Sequence, residues 1–137
     1  MTRFEFNAPE EIKPAIAASF APFMACVPGW CQLVRVNWCA DADSEGMRNG
    51  AIMTCQTDWK YCEATIHVFP CFVEANDDER STAAIHELMH VFISPLFDDM
   101  IAEVDPGERD ALSARLTPRH ENTVQELAAA FTAALLA

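Results

Sequence analysis

Ala84-Ile85-His86-Glu87-Leu88-Met89-His90-Val91-Phe92 sets two histidines four residues apart, with a glutamate behind the first, inside an apolar run. On an α-helix, His86 and His90 stand one turn apart on one face. Two imidazoles so placed can share one Zn²⁺, with Glu87 beside them as general base towards a metal-activated water. The competing structural reading is two part-buried histidines with a salt-bridging glutamate.

The flanks favour a helix. Asn76-Asp77-Asp78-Glu79-Arg80-Ser81-Thr82 offers capping residues and first-turn acids. Ile85, Leu88, Met89, Phe92 and Ile93 recur at helical spacing. Ser94-Pro95 reads as a stop, because the residue before proline avoids the helical region. The helix is therefore expected over about residues 79–93.

The chain has 137 residues, 51% of them hydrophobic and 22% charged. That length and composition fit one globular domain, residues 1–137, with a real core. A formal net charge of −12 argues against non-specific nucleic-acid binding and against docking on anionic membrane. No stretch has the length and apolarity of a membrane span. Met1-Thr2-Arg3-Phe4-Glu5-Phe6-Asn7 lacks the apolar core of a signal peptide, so the expected compartment is the cytoplasm. The six cysteines, Cys26, Cys31, Cys39, Cys55, Cys62 and Cys71, include no Cys-x-x-Cys pair. They are expected as reduced thiols, most of them small buried hydrophobes.

Upstream of the histidines, Pro9 to about Ala25 reads as an amphipathic helix with the stripe Ile12, Ile16, Phe20 and Phe23. Three strands follow in expectation: Trp30–Cys39, Ala51–Thr57 and Tyr61–Phe69. Ala40 to Gly50, with Asp41, Asp43, Ser44, Glu45 and Gly46, reads as a solvated connection. In Tyr61–Phe69, the alternation of Ala64, Ile66 and Val68 with Glu63, Thr65 and His67 suggests a strand near a sheet edge. A peptide substrate would add there as a further strand. An ordinary half-buried strand is the equal alternative. Downstream, Pro95 to Thr117 is an acidic connection, with short helices at Leu96–Ile101 and Glu108–Leu116. Thr117-Pro118 starts a closing helix with the stripe Val124, Leu127, Ala128, Phe131 and Leu135.

Two histidines do not complete a catalytic zinc site, which takes three protein ligands. Glycine and a third histidine do not follow at the extended spacing, since Ile93 and Leu96 stand there. The closing helix offers carboxylates instead. At about 100° per residue, Glu121 lies roughly 60° from Val124, while Glu126 lies roughly 200° away, towards solvent. Glu121 is the first candidate, with His120 and then His67 as alternatives. Gln125, one turn after Glu121, can hydrogen-bond a ligand from behind. His120 or Tyr61 are candidates to stabilise a developing oxyanion.

With those residues in place, the chain resembles the zincin metallopeptidases, in particular gluzincins. Their signature is His-Glu-x-x-His on one helix and a glutamate ligand on a later one. His86, Glu87 and His90 match the first part, and Glu121 fits the second. The chain also looks like small metallopeptidases of phages and other mobile elements. In these a strand like Ala64-Thr65-Ile66-His67-Val68-Phe69-Pro70 precedes the motif helix, and one like Glu121–Ala128 closes the site. The resemblance covers about residues 61–95 and 119–136. It departs where thermolysin-like gluzincins carry an aspartate four residues after the ligand glutamate. Gln125 stands there instead.

The resemblance implies a minimal α+β zincin-like domain: an N-terminal helix, a sheet of about three strands, the motif helix and a C-terminal closing helix. It implies a zinc-dependent metallopeptidase acting on a peptide or protein substrate, with His86, His90 and Glu121 as ligands and Glu87 as base. The alternative is an inactive module of the same fold that binds metal or peptide.

Overall fold

The computed structural model describes residues 1–41 and 44–135, so Asp43 of the acidic connection lies outside the described residues. The architecture is α+β. The first strand is β1 (Arg3–Asn7), followed by helix α1 (Lys13–Phe20) and a 3₁₀ segment (Ala21–Cys26). Strand β2 (Leu33–Trp38), the short helix α2 (Glu45–Arg48) and strand β3 (Met53–Asp58) come next. A 3₁₀ turn at Trp59–Tyr61 leads to β4 (Glu63–Val68) and the single-turn helix α3 (Cys71–Glu74). Two long helices, α4 (Asp77–Ala102) and α5 (Arg109–Leu135), complete the chain.

The sheet has four strands in the order β1-β2-β4-β3, not the three expected. The unanticipated strand is Arg3-Phe4-Glu5-Phe6-Asn7, whose alternation is too short to stand out. β1, β2 and β4 run parallel, and β3 runs antiparallel along β4. The strand expected at the edge is therefore central. Its mixed pattern arises because only one sheet face packs on α1 and α4. Ala64, Ile66 and Val68 point into the core, while Glu63, Thr65 and His67 lie on the other face. On that polar face Arg35 pairs with Glu5 and Glu63. The edge strand beside the motif helix is β3.

The core joins Val34, Val36, Ile66 and Val68 of the sheet to Ile16 and Phe20 of α1 and to Ile85, Leu88 and Met89 of α4. α1 is shorter than its apolar stripe. Pro14 sits in its first turn, and Pro22 lies at the passage to 3₁₀ geometry. α4 begins with a complete capping box. The Asn76 side chain accepts the Glu79 N–H, and the Glu79 carboxylate accepts the Asn76 N–H, both at 2.9 Å.

Both boundaries read from proline, a stop at Pro95 and a start at Pro118, are overrun. α4 continues through Pro95 to Ala102, and α5 begins at Arg109 and passes through Pro118. Each proline forfeits one backbone donor, but the helices pack along each other and tolerate the loss. Thr117 does not cap a start; its hydroxyl donates back to the Ser113 carbonyl at 2.7 Å. The expected long connection shrinks to residues 103–108, turning through 3₁₀ geometry at Pro106–Glu108. Among the described residues, no helix is long and apolar enough to cross a membrane. All six cysteines are free, and only Cys31 is fully buried.

Candidate metal centre

α4 presents His86 and His90 on one face, and α5 lies alongside with Glu121 opposite them. The three side chains converge, with ligand atoms all within 4.8 Å of one another. One Glu121 oxygen lies 3.3 Å from His86 Nε2, and the other lies 3.5 Å from His90 Nε2. The His90 side chain is 11% exposed and that of Glu121 47%, so the cluster opens to solvent on the α5 side.

Gln125, one turn after Glu121, places its side-chain oxygen 2.9 Å from His86 Nδ1. An amide oxygen only accepts, so Nδ1 carries a proton and Nε2 is the nitrogen left for a metal. That nitrogen faces the Glu121 carboxylate. Burial, followed by the neighbouring histidines, holds His90 down at about 4 against the opposing pull of Glu121. His90 is thus neutral near pH 7, and its Nε2 also faces Glu121. The cluster gathers two imidazole nitrogens and a carboxylate around one point, a donor set a cation takes. Ligand atoms around tetrahedral zinc, roughly 2.0–2.1 Å from the metal, stand about 3.4 Å apart. The two Glu121–histidine separations are of that size. The donor set therefore fits a divalent cation.

Glu87 follows His86 in sequence but is buried. Burial and then the Glu121 charge push its carboxyl up to about 8, against a backbone hydrogen bond from Cys55 that lowers it. Cys55 belongs to β3, so the edge strand and the general-base candidate touch. The Cys55 thiol is itself pushed well above its usual range, first by burial and then by the Glu87 charge.

The remaining candidates divide. His120 lies between the two helices, stacked on Phe97 at 4.4 Å and edge-on to His90 at 5.2 Å. Its Nε2 is buried with no hydrogen-bond partner among the described residues. It adjoins the cluster without joining the ligand atoms. His67 is not brought there; it lines a separate cavity with Cys39 and Thr54 on the other face of the sheet. Tyr61 is 75% exposed on the turn that ends β3, one strand length from the Ala51–Met53 end that borders the site. The oxyanion role considered for Tyr61 thus has no geometric basis, because the hairpin carries the ring away from the cleft.

A groove of about 510 Å³ runs from His86 and Glu87 between the start of β3 and the first turns of α4. Ala51, Ile52 and Met53 form one wall, and Asp78, Thr82 and Ala83 lie along the other. The sequence marks these segments as a strand and a helix start. It carries no local signal that they face each other.

No protein-family model, no curated protein and no solved structure matches the chain.

Proposed function

We propose that the protein is a zinc-dependent metallopeptidase of gluzincin type, with a minimal zincin-like domain and a peptide or protein as substrate. The observation that carries this reading is the convergence of His86, His90 and Glu121 beside the buried Glu87. His86, His90 and Glu121 hold the metal, and Gln125 orients His86. Bound there, Zn²⁺ supplies a Lewis acid that makes water more acidic and polarises the scissile carbonyl. Glu87 accepts a proton from the attacking water as the new C–O bond forms. It returns that proton to the leaving nitrogen as the C–N bond breaks. The substrate lies in the groove along Ala51–Met53, beside the edge strand.

The second reading is a metal- or peptide-binding module without turnover. It draws on Glu87, a carboxylate buried and engaged by the β3 backbone.

Two measurements separate these readings. Elemental mass spectrometry of untagged wild-type protein is expected to show near-stoichiometric zinc that falls sharply in Glu121→Ala. Hydrolysis of a quenched-fluorescence peptide library is expected in wild type and lost in Glu87→Gln, which keeps its metal. Zinc binding without hydrolysis selects the module. Equal hydrolysis by Glu87→Gln removes the general base.

A further inference from the structure

The groove beside the cluster carries an unbalanced charge. Its lining includes the carboxylates of Asp78 and Glu79 and no lysine or arginine. The nearest α4 cation, Arg80, is folded the other way. Its guanidinium donates to the Phe72 and Val73 carbonyls and lies over the Phe72 ring. Glu79 is committed to the capping box, and the neighbouring Asp77 pairs with Arg80. Asp78 is exposed and, among the described residues, has no hydrogen-bond or ion-pair partner. A first-turn carboxylate also favours the helix dipole, but that role leaves its outward oxygens free.

From these observations we infer that the groove selects peptides with a lysine or arginine side chain, which pairs with Asp78 while the main chain lies towards His86 and Glu87. The inference rests on the metallopeptidase reading for cleavage, not for binding. Asp78 stands two helical turns before His86, about 12 Å along the axis. That is roughly three to four residues of extended peptide, fewer when a long cationic side chain supplies part of the reach. The apolar wall Ala51, Ile52 and Met53 accommodates the methylene stem, and the carboxylate meets the charged end. The overall charge of −12 draws such peptides in and repels acidic ones.

The test uses zinc-loaded Glu87→Gln protein, so that binding is read without turnover. Three fluorescein-labelled peptides share one alanine–glycine sequence and carry lysines, glutamines or glutamates at the same positions. Anisotropy is expected to rank lysine over glutamine over glutamate, with the lysine peptide about fivefold tighter than the glutamine one. The gap narrows in high salt. Asp78→Asn in the same background is expected to remove most of the lysine-over-glutamine ratio. Asp110→Asn, the same charge change at the start of α5, is expected to leave it intact. Equal affinities, or equal loss from both substitutions, overturn the inference, the latter by showing that only net charge acts. The wild-type enzyme is then assayed on the same peptides. Cleavage without lysine preference sinks this inference and spares the peptidase reading. Lysine-selective binding without cleavage does the reverse.

Discussion

Gln125 is the residue on which the cluster's chemistry turns, because its acceptor oxygen decides which nitrogen of His86 faces Glu121. Gln125→Ala is expected to weaken zinc affinity about tenfold, the low end for a ligand's supporting partner, since this pair is exposed. Gln125→Glu puts a carboxylate behind the imidazole and is expected to tighten it; competition with a fluorescent chelator reads both. Glu87 makes a separate prediction in the metal-free protein. Its folded value of about 8 lies above the 4.5 of the unfolded chain. Its contribution to stability is therefore full below pH 4.5 and is lost as pH rises through 8. His90, lowered from 6.5 to about 4, acts in the opposite sense and only below its unfolded value. The window from pH 6.5 to 8 thus isolates Glu87. Urea unfolding in chelator is expected to show stability falling with pH across it, and Glu87→Gln is expected to flatten that slope. At this scale the sequence was informative. A His-Glu-x-x-His spacing is local, and helical geometry alone turned Glu121 inward and Glu126 outward. The sequence could not place Tyr61 and His67, because their positions depend on a hairpin and a sheet face, which no local spacing encodes.

At the level of elements, boundaries moved further than identities. The start of α4 was legible because a capping box is written within four consecutive residues, from Asn76 to Glu79. Asn76→Ala is expected to cost about 1 kcal/mol in a thermal or denaturant melt, with the zinc site unchanged. The ends of the long helices were not legible, because proline penalises a helix locally while packing along a neighbour repays it at a distance. Pro95→Ala restores a donor to the Val91 carbonyl and is expected to raise the melting temperature of the metal-free protein. A fall would mean that Pro95 helps seat Ser94 by His90 Nδ1, 3.5 Å away. Strand order was hidden for a related reason. The pattern of β4 reports that one face is polar, and a central strand of a one-sided sheet shows the same pattern as an edge strand. Only pairing with β2 and β3 distinguishes the two, and pairing is non-local. The correction bears on function, since it moves the available edge to β3, whose Cys55 meets Glu87.

Across the whole molecule, the cluster ties together parts that the core holds unequally. α4 buries Ala84, Ile85, Leu88, Met89 and Val91, whereas the long helix α5 buries only Val124 and Ala128. Phe131 against Phe92 adds a half-buried contact at 5.9 Å. The sheet, α1 and α4 thus carry most of the core, and α5 is the long helix that buries fewer side chains. Glu121 is the cluster's one member on α5. A cation held by His86, His90 and Glu121 therefore bridges the core body to α5. Because the folded state alone brings these ligands together, zinc at about 1,000 times its dissociation constant stabilises folding by about 4 kcal/mol. The gain is expected to be distributed unevenly. Hydrogen exchange should slow most in α5 on adding zinc, less in the C-terminal half of α4, and least in β2 and β4, the two interior strands. Chelator should reverse the change, and Glu121→Ala should abolish the α5 part while sparing the sheet. Uniform protection across all elements would instead mean that α5 unfolds only with the rest of the chain, and that the metal adds stability without serving as the clamp between the two long helices.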